Sequence, residues 1–290
     1  MRQKFTGGKM HELHEIQLDP IISRALEEDW GYGDWTTDIC VGKDKISTAK
    51  IIAKEECIAC GMDVAKAVFL KVDPSLEVSL KAENGQKLAN RDTILEIKGK
   101  ARSILKAERV ALNLMGRMCG IATITREYTE LLEGTKTQLL DTRKTTPGLR
   151  ILEKFSTVVG GARNHRFGLC DGAMVKENHI RAAGGIGAAV SKLLDSLPPT
   201  IKIEVETTNL EEVQEALDAG ADIIMLDNMA PADMTKAVAL VNGRALVEGS
   251  GNVRLDTIRG VAETGVDFVS TSAIIQRARW SDLSLLFDLH

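Results

Sequence analysis

From Gly134 onward the chain repeats one pattern. Strand-prone apolar runs recur, each ending in a polar residue and each followed by a stretch of helical periodicity. They are T-Q-L-L-D-T-R-K, G-A-M-V-K-E-N, I-K-I-E-V-E, A-D-I-I-M-L-D-N, A-L-V-E-G-S-G and V-D-F-V-S-T-S. The polar residues at the run ends, Lys144, Lys176, Glu206, Asp227, Ser250 and Ser272, stand 32, 30, 21, 23 and 22 residues apart. Gaps of that shorter kind fit compact strand–helix repeats, and the longer two leave room for loops. Two intervening segments read as helices, capped by Asn209 or Asp256 and stopped by Gly220 or Gly265. Successive βα units with short gaps favour a parallel α/β barrel, whose carboxyl-end face would gather all six residues. A dinucleotide-binding sheet has little support, because no G-x-G-x-x-G follows the first strand.

The preceding residues follow a different rule. Residues 1–15 are polar and read as a loose arm. Ile21, Ile22, Ala25 and Leu26 recur at helical spacing up to the glycine-broken E-D-W-G-Y-G-D-W-T-T. Between Ser47 and Gly99, three β-prone runs enclose one helix near Asp63 to Val72, which suggests a small α+β domain. From Ile104 to Leu132 the period is helical again, and Arg109 inside it reads on its own as an ordinary solvated charge.

Composition narrows the partners. The chain has 290 residues, 44% of them apolar, enough for one large barrel or two domains. Aromatics at 4% and a net charge of −4 argue against a nucleic-acid surface. The absence of a bilayer-length apolar run and of a signal-peptide core predicts a cytoplasmic protein that does not engage membranes. Five cysteines over this length do not suggest a disulfide framework. Cys57 and Cys60 form a C-x-x-C without a second pair at zinc spacing, so they read as structural.

Against that acidic background, Asp141 to His179 is rich in cations. Arg143, Lys144, His165, Arg166 and Lys176 lie within it, interleaved with glycines. Cations gathered in one segment point to an anionic ligand, and arginine forks suit carboxylate or phosphate. Glu206 and Asp227 end consecutive strands. Two carboxylates opposite cations suit a Mg²⁺ held partly by ligand oxygens, or else a structural ion network. G-S-G-N (Gly249 to Asn252) and S-T-S (Ser270 to Ser272) follow late strands, where backbone N–H groups commonly bind phosphate.

These motifs together resemble the quinolinate phosphoribosyltransferase family. The resemblance rests on A-E-R-V-A-L-N-L-M-G-R-M-C-G-I-A-T, D-T-R-K-T-T-P-G-L-R, G-G-A-R-N-H-R-F-G-L, K-E-N-H-I, E-V-E, D-I-I-M-L-D-N, G-S-G-N and E-T-G-V-D, in one order. It implies an N-terminal α+β sandwich domain over residues 16–115 and a TIM-like parallel barrel over 116–275. A C-terminal helix over 276–290 would return to the first domain. The implied reaction moves phosphoribose from phosphoribosyl pyrophosphate to quinolinate, losing CO₂ and pyrophosphate, with Mg²⁺ as cofactor. Arg143, His165, Arg166 and Lys176 would hold the quinolinate carboxylates, with Thr145 beside them. Arg109 would reach the same site from a partner subunit of a dimer, or of a trimer of dimers. Lys144, Glu206 and Asp227 would be catalytic, the last two also holding the metal. Ser250, Gly251, Asn252 and Ser272 would bind the 5′-phosphate. The chain departs from the family pattern at Ala162, Glu177 and Ser272.

Rival readings are a barrel lyase with Lys144 or Lys176 as Schiff-base nucleophile, which neighbouring carboxylates oppose; a paralogue acting on another ring acid; and a phosphoribosyl pyrophosphate sensor without turnover.

Overall fold

A computed structural model of the chain describes residues 13–287. The arm expected over residues 1–15 lies largely outside them, and Glu15 already begins a helix. The elements, in chain order, are α1 (Glu15–Trp30), α2 (Trp35–Cys40), β1 (Ile46–Ala53), β2 (Cys57–Ile58), α3 (Met62–Val72), β3 (Glu77–Leu80), β4 (Lys87–Leu88), β5 (Thr93–Lys100) and α4 (Ala101–Glu130). They continue with β6 (Gln138–Leu140), α5 (Arg150–Gly160), β7 (Ala173–Val175), α6 (Glu177–Ala183), α7 (Ile186–Ser196), β8 (Ile203–Thr207), α8 (Leu210–Asp218) and β9 (Ile223–Asp227). The last are α9 (Pro231–Val241), β10 (Leu246–Ser250), α10 (Ile258–Glu263), β11 (Phe268–Ser270), α11 (Ala273–Gln276) and β12 (Leu283–Phe287). Among the described residues, no helix is long and apolar enough to cross a membrane.

The chain divides into two units. One takes the residues up to Arg126, Thr146–Gly160 and those from Arg277 on; the other takes Glu127–Thr145 and Gly161–Gln276. In the first, an antiparallel sheet of order β12-β1-β5-β3 carries Ile51, Leu95 and Ile97 into a core shared with Ile22, Phe69, Ile104 and Met115. Alternation along β1 buries Ala49, Ile51 and Ala53 and leaves the other face to solvent, as a half-buried strand should.

A C-terminal helix is expected over 276–290, but among the described residues 277–287 no helix follows α11. L-S-L-L-F forms β12, whose residues Leu283 to Phe287 pair antiparallel with Ala53 to Ala49. The run carries too few apolar positions to distinguish helix from strand by period, and the open edge of β1 decides the outcome. The boundary expected at 115/116 also moves. Helix α4 continues unbroken through it, and α5 adds Leu152 and Val159 to the first unit's core. Sequence rhythm places a helix after β6 but does not say which core its apolar stripe joins.

The second unit is a six-stranded all-parallel sheet of TIM-barrel type, in the order β6-β11-β10-β9-β8-β7. Its first strand lies beside its last, the arrangement of a sheet wound toward closure. Beyond β6, a single parallel bridge joins Leu140 to Arg163. Val205, Ile224, Leu226, Val247 and Val269 are buried, the near-continuous apolar character of strands covered on both faces. Of the two expected helix caps, Asn209 is observed, its side chain accepting from Glu212 N–H at 2.8 Å. Asp256 is not a cap. Its carboxylate accepts from Arg254 Nε at 3.0 Å, and α10 starts later, from Thr257.

Candidate active site

The six polar residues expected at strand ends do stand there. Glu206, Asp227 and Ser250 fall within the last two residues of β8, β9 and β10. Lys176, Ser272 and Lys144 follow β7, β11 and β6 by one, two and four residues. Ser250 sits beside Asp227 in the β9–β10 register. Lys176 Nζ makes a short ion pair with Glu206 Oε2, tying the ends of neighbouring strands together. Lys144 is exposed, with its backbone N–H held by Thr142 Oγ1 at 3.0 Å, and Thr145 folds back so that its N–H donates to Arg143 O at 2.9 Å.

The Asn164–Arg166 segment is fixed residue by residue. Buried Asp141 accepts from Asn164 Nδ2 at 2.5 Å and from His165 N–H at 2.9 Å. The His165 ring is engaged at both nitrogens. Nδ1 accepts from Arg166 N–H at 2.7 Å, and Nε2 lies 3.1 Å from Glu204 Oε2 and 3.6 Å from Glu248 Oε2. Arg166 Nη1 donates to Gly172 O at 2.8 Å. Burial first, and then the neighbouring Arg143 guanidinium, pulls Arg166 below the usual arginine value. Two guanidiniums held close together favour an anion between them. Glu248 is pushed the other way. Burial and then the Glu204 carboxylate raise it to about 8, against smaller opposing effects of His165, Ser270 and Lys176.

The loops after β9 and β10 are knitted together. Asn228 N–H donates to Ser250 O at 2.9 Å, and Asn252 Nδ2 donates to Asn228 Oδ1 at 3.0 Å. Gly251 has φ +94, and a Cβ there would stand 2.4 Å from Asn228 Oδ1. Glycine is required on both counts. The Ser272 hydroxyl donates to Gln276 Oε1 at 2.8 Å, within the turn that opens α11.

Of the residues expected to form the site, Arg143, Lys144, Thr145, His165, Arg166, Lys176, Glu206, Asp227, Ser250, Gly251, Asn252 and Ser272 all belong to the barrel unit. Arg109 belongs to the other unit, exposed on α4. Three residues without an expected role prove central: Asp141, Glu204 and Glu248. A signal existed for one, because E-V-E on a strand puts Glu204 on the same face as Glu206. The carboxylates of Glu206 and Asp227 are hard oxygen donors only partly covered, which fits a Mg²⁺ completed by phosphate and water.

Fold and site define a class: a parallel α/β-barrel enzyme with cations and carboxylates set at its strand ends for an anionic, phosphorylated ligand. Comparison with known proteins specifies it further. The C-terminal domain of quinolinate phosphoribosyl transferase matches residues 121–286, and its N-terminal domain matches 34–119. A Synechocystis protein named as a probable nicotinate-nucleotide pyrophosphorylase (carboxylating) is 46% identical over 273 residues, covering 93% of this chain and 92% of that one. A Bacillus subtilis protein of the same name is 37% identical, covering 94% of each. The solved nicotinate-nucleotide pyrophosphorylase of Francisella tularensis superimposes with a TM-score of 0.92 at 40% identity, covering 98% of this chain and all of that one. The chain belongs to the quinolinate phosphoribosyl transferase family.

Proposed function

We propose that the protein transfers phosphoribose from phosphoribosyl pyrophosphate to quinolinate and decarboxylates the product, giving nicotinate mononucleotide, CO₂ and pyrophosphate for NAD biosynthesis. One observation carries this reading in a chain of this family. Within one barrel unit stand paired guanidiniums (Arg143 and Arg166), a lysine on a carboxylate at neighbouring strand ends (Lys176 on Glu206) and the Asn228–Gly251–Asn252 loop cluster.

Arg143, His165, Arg166 and Lys176 grip the quinolinate carboxylates and aim the ring nitrogen at the anomeric carbon, a gain of proximity. That nitrogen is already unprotonated near neutral pH, so no general base is needed. As the bond to pyrophosphate breaks and the N–C bond forms, positive charge grows on the ribose, and Glu206 and Asp227 stabilise it. Lys144 offsets the charge of the departing pyrophosphate. Glu206 and Asp227 would hold a Mg²⁺, which would supply Lewis-acid neutralisation of the phosphate oxygens. Loss of CO₂ then leaves an electron pair on the ring carbon beside the newly cationic nitrogen, whose charge stabilises it until a proton from water takes the place of the lost carboxylate. Gly251 and Asn252 approach the 5′-phosphate through their backbone. Arg109 completes the site from a second copy, so the working form is a dimer or an assembly of dimers, and the reaction is cytoplasmic.

The test is an assay of pyrophosphate and CO₂ release with quinolinate, phosphoribosyl pyrophosphate and Mg²⁺, run in parallel with nicotinate. Quinolinate-dependent release of both products is expected. Binding of both substrates without either product would leave a sensor, and release with another ring acid alone would identify a paralogue.

A further inference from the structure

One buried carboxylate outside the barrel unit has no part in the scheme above. Glu153, on α5 of the first unit, is only 1% exposed. A charge at that depth is costly unless it is paired and its oxygens are satisfied. Oε1 accepts from Arg117 Nε at 3.0 Å, from Arg117 Nη2 at 2.8 Å and from Thr146 Oγ1 at 2.8 Å. Oε2 accepts from the Thr146 N–H at 2.8 Å. Arg117, on α4, also donates through Nη1 to Ala278 O at 3.1 Å.

The sequence prepares the Thr146 side of this contact locally. Thr146-Pro147-Gly148-Leu149 is a β-turn closed by Leu149 N–H on Thr146 O at 3.0 Å, with proline second and glycine third at φ +83. Those are the residues a type II turn favours. Glu153 N–H then donates to Leu149 O at 3.0 Å, so α5 begins where the turn ends and its carboxylate reaches back to Thr146. Joining α4 to α5 does not require Thr146, and an apolar pair of similar volume would hold two helices as well. The two bonds to Thr146 have another consequence. The chain passes from the barrel unit into the first unit between Thr145 and Thr146, directly after Arg143 and Lys144.

We infer that Glu153 is a positioning residue: by holding both the N–H and the hydroxyl of Thr146, it fixes one end of the loop that presents Arg143 and Lys144. The other end is fixed by Asp141, buried just after β6, whose N–H donates to Arg163 O at 3.2 Å. Thr142 to Thr145 run between these two anchors. A loop already held at both ends has less freedom to lose when a ligand binds, so its cations cost less to order. Releasing Thr146 leaves that ordering to the ligand, at a loss of affinity. Arg117 orients the carboxylate, since it grips Oε1 through two nitrogens while tied to Ala278 O. That the loop meets substrate rests on the quinolinate reading given above; that Glu153 anchors it does not.

The test exchanges the ion pair for an apolar one in the full chain. Arg117→Met combined with Glu153→Leu keeps the two helices packed and removes the acceptor of Thr146. Amide hydrogen exchange over residues 142–146 should accelerate about tenfold or more, as expected for lost bonds to a charged group. The Kd and KM for quinolinate should rise about fivefold or more. The KM for phosphoribosyl pyrophosphate should rise with them, because Arg143 and Lys144 share the loop. A merely structural pair behaves otherwise, since a smaller folded fraction lowers the maximal rate and leaves Kd and KM where they were. Thr146→Val keeps the ion pair and the N–H bond, and should shift the same quantities in the same direction by about 2–10-fold, the worth of one hydrogen bond. Unchanged exchange in the folded double variant overturns the anchor, and faster exchange with unchanged Kd and KM overturns the positioning role. If the double variant does not fold, Thr146→Val decides by the same two readings. Failure of the unmodified protein to bind quinolinate defeats the functional reading instead, and exchange then still decides whether Glu153 anchors the loop.

Discussion

Glu248, buried in β10 with the Glu204 carboxylate near it, keeps its proton up to about pH 8, and that has a thermodynamic consequence. A carboxyl whose value rises on folding, here from 4.5, binds its proton more tightly in the folded chain. Its contribution to stability is complete below about 4.5 and is lost as pH climbs through about 8. Glu248→Gln keeps the neutral shape at every pH. The variant should therefore gain on the unmodified protein as pH rises from 5 to 9, by about 2–4 °C in Tm for each kcal/mol relieved. Thermal melts across that range check it, and a Tm difference independent of pH would rule out the buried proton. At the same scale, Gly251 has no room for a methyl group beside Asn228. Gly251→Ala should weaken phosphoribosyl pyrophosphate binding by about 5–150-fold through the displaced loop, given a strain of about 1–3 kcal/mol. Calorimetric titration with that ligand is the check, with quinolinate affinity as the control.

Helix α4 shows what an element can and cannot disclose beforehand. Its period is plain from Ile104 onward, but Gly116 and Gly120, which sequence alone would mark as weak points, serve contact instead of flexibility. A Cβ on Gly120 would fall 1.7 Å from Arg279 O, because the backbone leading into β12 runs across the helix there. Gly120→Ala should force that segment away, costing roughly 1–3 kcal/mol or more by overpacking. Denaturant unfolding should register the loss, and an unchanged midpoint would show that the C-terminal segment does not depend on this contact. The end of the chain is hidden from the sequence for a related reason, a partner far away along the chain. A run as short as Leu283–Phe287 takes its conformation from the edge of β1, which no local period records. The barrel strands were legible for the opposite reason. Their burial on both faces writes apolar runs, and the polar residue ending each run marks the functional face without any knowledge of partners. What stayed hidden there was depth. Glu204 and Glu248 point inward like Glu206, but only tertiary packing reveals that they meet His165.

Taken whole, the chain assigns nearly all its candidate ligand-binding residues to one unit and a single one, Arg109, to the other. Arg109 is exposed on α4 beside Glu108, whose own value burial raises while Arg109 opposes the rise. An exposed guanidinium on a helix otherwise rich in buried positions is free of a core role, so its loss should leave the fold intact. If it serves a partner's barrel, two defective chains can repair each other. Arg109→Ala and Lys144→Ala should each lose about 10–100-fold in kcat/KM, the cost of removing one charged contact to an anionic ligand. Mixed in equal amounts and allowed to exchange, they should recover about a quarter of normal activity, since half the dimers are mixed and each of those carries one intact site. Quinolinate-dependent pyrophosphate release before and after mixing gives the answer, with subunit exchange verified by differently tagged chains. Exchange without recovery would confine each site to a single chain, and Arg109 would then be a surface charge that the barrel does not use.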